Sequence, residues 1–394
     1  MLARPLIALL LFLLPASAMA GEIDISGFVG AETRVFTQSA KQPGQESNPE
    51  ASLILNPEFR YKKDSHQFSF IPFYRLDSRD HERSHFDIRE AYWLYAADDW
   101  EFLAGLNKIF WGVTESRHLV DIINQTDAVE DLDGEDKLGQ PMLSVTKYND
   151  WGQLDFYALP GFRERTFPGS DGRFRGPLVI DTDNARYESS QDEKHVDFAA
   201  RYSHYFGDWD VGLSHFYGTV REPRLVLNGP GTKLEPHYDI INQTGTDIQY
   251  TKDAWLWKFE GIVREGQGET FAAATGGFEY TFYQVFDSAA DIGALTEYHY
   301  DGRHADAAPS GFDNDVFAGV RLALNDIQDT AVLAGFSIDP DASETFYNLE
   351  AERRIGDNYE IEFRARFFTG ADPGESSFPL EKDDYIQIRF ARYF

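Results

Sequence analysis

The sequence contains no cysteine among its 394 residues, so no disulfide can stabilise the fold. Beyond residue 20 it has no run of apolar residues long enough for a transmembrane helix. Basic residues are also scarce, with 36 Lys and Arg against 66 Asp and Glu and a net charge of −30. This acidic balance argues against nucleic acid and anionic lipid headgroups as partners. The chain also shows almost no helical periodicity, so the apolar faces of the fold must come from another pattern of apolar residues.

The first 20 residues match the pattern of a secretory signal peptide. Arg4 gives a short positive start, the apolar stretch "ALLLFLLP" follows, and Ala18-Met19-Ala20 forms a small-residue cleavage site. The apolar stretch is too short to span a bilayer, which disfavours the alternative of a retained membrane helix. We therefore expect residues 1–20 to be removed before Gly21.

What the sequence does contain is period-two alternation of apolar and polar residues. In "IDISGFVGAETRVF" the apolar side chains of Ile23, Ile25 and Val29 share one face of an extended strand, and Asp24 lies on the other. The stretches "ASLILNPEFRY", "DNDVFAGVRLAL" and "NYEIEFRARFF" repeat the pattern. Segments of this length fit tilted strands that cross a bilayer. The pattern predicts lipid-facing side chains at Ile23, Leu53, Phe70, Val320, Phe363 and Phe390.

Aromatic residues recur directly after short polar turns, as in "ADDW", "YNDW", "FGDW" and "TKDAW". Asp, Asn and Gly favour tight turns, and an aromatic ring just inside a turn suits the boundary between hydrocarbon and water. The alternative is a soluble β-sandwich, but its core would not leave polar faces on strand after strand. We place eighteen strands from 22–36 to 383–394, with the fifth at 100–111 and the tenth at 243–251, and sixteen is the other count. Residues 21–394 are thus expected to form one all-β domain, a transmembrane antiparallel up-and-down β-barrel.

The last strand, 383–394, alternates to the final residue. Ile386, Ile388 and Phe390 share a face, which predicts pairing with strand 22–36 and closure of the barrel without exposed edges. This ending resembles the carboxy-terminal signal of outer-membrane barrel proteins, except that Arg392 departs from it. The resemblance implies recognition by the barrel-assembly machinery through residues 383–394.

The stretch "FDIREAYWLY" followed by "GLNKIFWG" is similar to Gram-negative outer-membrane porins. The similarity is specific over about residues 85–112 and architectural elsewhere. It implies a Gram-negative outer-membrane location, contact with lipid and lipopolysaccharide, and a channel for ions and other small hydrophilic solutes. It also allows a homotrimer. No cofactor or nucleic acid is expected.

The connection 112–140 is the third long one, and in porins that loop folds into the barrel. Its apolar stretch "HLVDII" favours burial against the wall, whereas the alternative is a solvated surface loop. We predict that its acidic residues line a constriction: Asp121, Asp127, Glu130, Asp131, Asp133, Glu135 and Asp136.

Alternation also predicts lumen-facing arginines on the strands near the closure: Arg34, Arg60, Arg75, Arg89, Arg321, Arg364, Arg366 and Arg389. Carboxylates on the same strands are expected to neutralise most of them, so the acidic loop leaves a negative excess. That balance predicts modest cation preference. An exporter of an acidic polysaccharide, which should have a basic lumen, stays open as the alternative. A barrel enzyme is disfavoured because Ser214 and His215 point to opposite faces.

Two further motifs give only weak indications of function. "DLDGED" lacks the spacing of an EF-hand loop, and the histidines show no metal-binding spacing, so no metal site is predicted. "DIINQT" occurs at 121–126 and again at 239–244. The two copies either present one motif to a shared ligand or to each other, or coincide because both lead from a loop towards a strand.

Overall fold

A computed structural model describes residues 21–45, 48–373 and 377–394. The expected signal peptide lies outside these residues. Among the described residues, no helix is long and apolar enough to cross a membrane.

Within the described residues, eighteen antiparallel strands form one closed sheet, and three short strands form a second sheet in the loops. The barrel strands are β1 (Glu22–Phe36), β2 (Glu50–Lys63), β3 (His66–Asp77), β4 (Phe86–Ala97), β5 (Trp100–Asn107), β6 (Gln140–Asn149), β7 (Gly152–Pro160), β9 (Val196–Phe206), β10 (Trp209–Thr219), β13 (Ile240–Lys252), β14 (Trp255–Glu265), β15 (Phe271–Phe282), β16 (Asp291–Asp301), β17 (Val316–Ala323), β18 (Ala331–Ile338), β19 (Thr345–Ile355), β20 (Tyr359–Thr369) and β21 (Tyr385–Tyr393). The loop strands are β8 (Arg186–Tyr187), β11 (Arg224–Leu227) and β12 (Leu234–Tyr238). Single 3₁₀ turns occupy Thr182–Asn184, Asp192–Lys194, Val285–Asp287 and Phe378–Leu380.

The first and last strands close the barrel. β1 pairs with β2 on one side and with β21 on the other, with Ala31 opposite Phe390 and Thr33 opposite Ile388. The predicted fold class, strand number and closure are therefore confirmed. A closed ladder satisfies the backbone groups of every strand, as a hydrocarbon environment requires.

Alternation along each strand separates an apolar outer face from a polar inner one. Ile23, Leu53, Phe70, Val320 and Phe390 are exposed on the outside, and Phe363 is half-buried. Their strand neighbours Ser52 and Ser69 are buried inside. Aromatic residues collect near the short turns, where Trp255 stacks on Trp257 with ring centroids 5.6 Å apart. This arrangement fits the predicted aromatic girdle.

Two strand boundaries differ from the sequence prediction by three residues or more. The fifth strand was expected at 100–111 but ends at Asn107, because Ile109 and Trp111 donate backbone hydrogen bonds to Asn124 and Asp121 of the following loop instead of to a strand. The tenth barrel strand was expected at 243–251 but begins at Ile240. The second copy of "DIINQT" is therefore mostly strand, whereas the first is loop.

We predict that single cysteines at the outer sites Ile23, Leu53, Phe70, Val320 and Phe390 react with lipid-phase reagents and resist water-soluble ones, because their side chains lie on the apolar face. The sequence has no native cysteine, so each thiol reports one site. Labelling in vesicles is the measurement. Ser203→Cys on the inner face of β9, opposite Gly212, is the control and should show the reverse. Reaction of several outer sites with water-soluble reagents would refute the assignment of faces.

Candidate functional site

The connection between β5 and β6, residues 108–139, contacts inward-facing side chains from strands on opposite sides of the barrel. Its apolar half lies against the wall formed by β5 to β15. Its acidic half meets arginines from β3, β4 and β20. We call residues 112–139 the crossing loop.

The apolar half of the crossing loop belongs to the largest buried apolar cluster. Val120 and Ile123 have no exposed surface, and Leu119 and Ile122 are buried beside them. The wall contributes inward-facing residues that include Phe216, Ile241 and Ile262. The "HLVDII" stretch therefore packs against the inner wall, which is the burial that its composition favours.

Two inward-facing glutamates fix the start of the crossing loop. The Glu260 carboxylate on β14 accepts hydrogen bonds from the backbone N–H groups of Val113 at 2.7 Å and Thr114 at 3.0 Å. Glu297 on β16 accepts from the backbone N–H groups of Glu115 at 2.7 Å and Ser116 at 2.9 Å. Hydrogen bonds to a carboxylate are stronger than those between neutral groups, so this end of the loop has a fixed backbone path.

On the other side of the lumen, the acidic residues of the crossing loop pair with arginines. Arg75 on β3 bonds the Glu130 carboxylate at 2.6 Å and Glu32 of β1 at 2.9 Å. Arg89 on β4 lies 2.6 Å from Asp127. Burial raises the pKa of Asp127, but the neighbouring His85 and Arg89 outweigh it and hold that pKa below its usual range. Asp127 is therefore ionised at neutral pH.

Arg364 and Arg366, both on β20, form the next contact. Both guanidinium groups bond the Asp131 carboxylate, and Arg366 also bonds Asp133 at 2.8 Å. Arg366 is 1% exposed and Asp131 is 3% exposed. Burial alone would raise the pKa of Asp131, yet Arg366 and Arg364 hold it below its usual range. Removing one partner would strand a buried charge, which costs several kcal/mol.

Arg83 is a site residue that the sequence analysis missed. It lies in the short connection between β3 and β4 and is 3% exposed. Its guanidinium donates to the carboxylates of Glu32 at 2.7 Å and Glu50 at 3.0 Å, and to the carbonyl of Val129 at 2.9 Å. It therefore ties the crossing loop to β1 and β2. Loop residues do not alternate between an inner and an outer face as strand residues do, so no sequence pattern identifies Arg83 as inward-facing.

The remaining predicted arginines are also paired. Arg34 lies 3.4 Å from Glu50 and Arg60 lies 2.7 Å from Glu58. Arg321 lies 2.7 Å from Glu115 of the crossing loop, and Arg389 bonds Glu362 on the neighbouring strand. Arg34 and Arg389 make no direct ion pair with the acidic half of the loop among the described residues.

Of the remaining predicted acidic residues, Asp121 and Glu135 have ion-pair partners. Asp121 lies 3.1 Å from Lys137 and Glu135 lies 3.1 Å from His118. Despite burial, Glu135 and Glu260 raise the pKa of His118 to about 10, so this pair is charged at neutral pH. Asp133, Glu135 and Asp136 are exposed. Asp136 has no ion-pair partner in the described part of the chain.

Asp136 titrates in an unusual range. Although Asp136 reaches solvent, the protein around it limits hydration of its carboxylate. This desolvation, together with the carboxylates of Glu130, Asp133 and Asp131, raises the pKa of Asp136 to about 7. Both effects disfavour the charged form. Its charge is therefore present at alkaline pH and is lost as the pH falls through neutrality.

His85, Asp127 and Glu130 come close enough to suggest a metal site, since their ligand atoms lie within 4.8 Å of one another. Arg89 and Arg75 already engage the two carboxylates. A cation placed there would meet two guanidinium groups. The geometry fits a charge-balanced network better than a metal centre.

The two "DIINQT" copies meet in the structure. Ile122 and Ile123 from the first copy and Ile241 from the second lie in one apolar cluster. Gln243 of the second copy donates to the carbonyl of Leu119, at 3.4 Å, just before the first copy. The same six residues thus serve as loop in one place and as wall strand in the other.

Solved structures with the same fold include outer-membrane barrels. A BenF-like porin from Pseudomonas fluorescens has a TM-score of 0.54 and 8% identity, with 95% of this chain and 98% of that chain covered. Acinetobacter baumannii OccAB1 has a TM-score of 0.55 and 7% identity, with coverages of 94% and 96%. Escherichia coli Wzi, a carbohydrate-binding β-barrel involved in capsule assembly, has a TM-score of 0.51 and 9% identity, with coverages of 93% and 84%.

Neither a protein-family model nor a curated protein matches the sequence. At these identities the structural likeness establishes the fold. The chain is thus a closed eighteen-stranded barrel of the architecture found in outer-membrane proteins.

Deleting residues 121–136 should raise single-channel conductance by roughly twofold or more, because an eighteen-stranded barrel encloses a wide lumen once nothing crosses it. Conductance in planar bilayers is the measurement. Shortening the tip between β11 and β12, where a Cβ added at Gly229 would meet no other part of the protein within 4 Å, is the control and should change little. Unchanged conductance in a folded deletion variant would mean that the loop does not obstruct the pore.

Proposed function

We propose that this protein is a porin of the Gram-negative outer membrane, exported with a cleaved signal peptide, that forms a water-filled channel for small hydrophilic solutes. One observation carries the proposal. Ion pairs and hydrogen bonds hold the crossing loop between opposite inner walls of a closed barrel.

The lumen itself supports a channel. Eighteen strands leave a space that wall side chains alone cannot fill. The buried inner residues are largely charged and amide groups, among them Glu32, Arg75, Gln243 and Glu297. A polar inner surface beside an apolar outer one is the pattern of a wall that separates water from lipid. The crossing loop would set the width of this aqueous path.

The charge balance supports modest cation preference. Each of the eight predicted pore arginines has a carboxylate within salt-bridge distance, so the field of these arginines is largely cancelled. The exposed charges of the crossing loop are Asp133, Glu135 and Asp136. Arg366 and His118 offset the first two in part, and Asp136 stays unpaired within the described residues. Low-dielectric walls would focus this residual negative field on passing ions.

The same balance disfavours export of a polyanion, which needs free cationic groups along its path. The fold likeness to Wzi extends to the barrel and carries no ligand with it. An enzyme is also disfavoured, since Ser214 is buried on the inner face of β10 while His215 faces outward and bonds Thr244. The lipid, lipopolysaccharide, assembly-machinery and homotrimer partners remain expectations that follow from the porin assignment.

Reversal potentials under a salt gradient should show cation selectivity on the order of a few-fold, weakening at high salt because ions screen the fixed charges. Selectivity should also fall from alkaline to acidic pH, since Asp136 has a pKa of about 7 and loses its charge on protonation. Asp136→Asn is the matched variant. It should lower selectivity at alkaline pH and remove most of the pH step. Clear anion selectivity would overturn the proposal and favour the exporter.

A further inference from the structure

Short turns mark the periplasmic end of a bacterial outer-membrane barrel. In this barrel they lie at the end where β1 begins and β21 ends, and the connections at this end are unequal. Six of the eight are two or three residues long, but residues 283–290 join β15 to β16 and residues 324–330 join β17 to β18. Because β16 pairs with β17, these two longer turns lie side by side. The Asn325 side chain links them, donating to the carbonyl of Ala289 at 2.8 Å and to the Asp291 carboxylate at 2.9 Å.

Each of these turns presents an apolar side chain with almost no protein contact. Phe286 is 90% exposed and Ile327 is 92% exposed, the two highest values among the large apolar residues described. Tyr283 and Leu324 are exposed beside them. We call these four residues the rim patch. An exposed apolar patch of this kind marks an interaction surface.

Hydrogen bonds fix the backbone of the first of these turns, residues 283–290. Val285 donates a backbone hydrogen bond to Ala290 at 2.8 Å, and the backbone N–H of Gln284 donates to Asp291 at 2.8 Å. Phe286 has a φ of 58°, a left-handed conformation that bulky residues rarely adopt. Such a conformation persists where the surroundings determine it or where it serves a function. Here it keeps an aromatic ring outside the fold.

The rim patch continues an aromatic band on the lipid-facing side of the barrel. On the outer faces of β14 and β15, ring centroids lie 4.6 Å apart for Trp255 and Tyr280 and 4.8 Å apart for Tyr280 and Phe282. Phe282 ends β15, and the turn that carries Phe286 begins at the next residue. This continuity favours lipid over a soluble protein as the occupant, because aromatic rings at a barrel end concentrate at the membrane–water boundary.

Charged groups next to the rim patch fit the same boundary. Arg353 bonds Asp326 at 2.9 Å, and Arg354 lies 2.8 Å from Asp329. Arg353, Arg354 and Asp329 are exposed, and Asp326 is half-buried. Apolar tips next to exposed ion pairs are the composition of a segment that lies in an interface, with its apolar groups in lipid and its charges in water.

We propose that the rim patch inserts into the interfacial layer of the periplasmic leaflet and anchors this side of the barrel to phospholipid. The inference rests on the proposed placement of the barrel in an outer membrane. The proposed anchor lies on one side of the barrel, at the turns that join β15 to β16 and β17 to β18.

Single cysteines test the proposal cleanly because the chain has none of its own. Phe286→Cys and Ile327→Cys would each carry an environment-sensitive fluorophore, with the barrel reconstituted in phosphatidylcholine vesicles. The matched control is Ser65→Cys, an exposed residue in the two-residue turn between β2 and β3 at the same end. Quenchers attached to the lipid near its glycerol level, and iodide in the water, then report the depth of each label.

We expect lipid-borne quenchers to reduce emission at 286 and 327 by roughly twofold, because interfacial segments bury their apolar groups below the headgroups. Iodide should quench the label at 65 and spare the other two. Iodide quenching at 286 and 327 as strong as at 65, without lipid quenching, would overturn the rim-patch proposal. Conductance of the same variants separates the two claims. Open channels with water-exposed labels would refute the anchor alone, whereas the absence of channels in the unlabelled parent protein would refute the porin assignment.

Discussion

Closure of the hydrogen-bonded wall is the constraint on which the rest of this structure depends. Pairing of β1 with β21 leaves no strand edge in the barrel, and a strand in hydrocarbon cannot leave backbone groups unpaired. Once the ladder is closed, side chains alternate between lipid and lumen. The outer face takes the apolar residues, so charged and polar residues collect inside.

These inward-facing charged residues explain the path that the crossing loop takes through the lumen. Arg75 pairs with Glu32 of β1 and also with Glu130 of the loop. Arg366 pairs with Glu350 of β19 and also with Asp131 of the loop. On the opposite wall the relation is reversed, because Glu260 and Glu297 accept the backbone N–H groups of the loop. Buried ion pairs contribute little net stability but penalise any arrangement that separates them. They therefore specify one path for the loop, on which Asp136 has no ion-pair partner among the residues that the structure describes.

The fold was predictable from sequence because alternation is a local signal. Each strand carries the pattern by itself, and short turns with following aromatic residues mark where strands end. The boundary errors at Asn107 and Ile240 arose where loop side chains or a neighbouring strand set the pairing. Inward-facing arginines on strands, such as Arg364, were predictable for the same reason.

The partners of those arginines were not predictable from sequence. Arg83 and His85 lie in a loop, which lacks the alternating pattern of the strands. The ion pair between Arg366 and Asp131 joins residues more than two hundred positions apart. Such contacts depend on the path of the loop across the lumen, and no local pattern encodes that path. The identical "DIINQT" copies make the same point, since one is loop and the other is strand.

A disulfide between the crossing loop and the wall tests the central claim most directly. A Cβ at Gly245 on β13 would lie 3.0 Å from a methyl carbon of Val120, so V120C and G245C are within reach of a disulfide. Mild oxidation of the folded barrel should cross-link this pair and change its mobility on a denaturing gel. V120C with G229C, at the open tip between β11 and β12, should stay uncross-linked. A folded barrel that never forms the 120–245 bond would contradict a loop held against the inner wall.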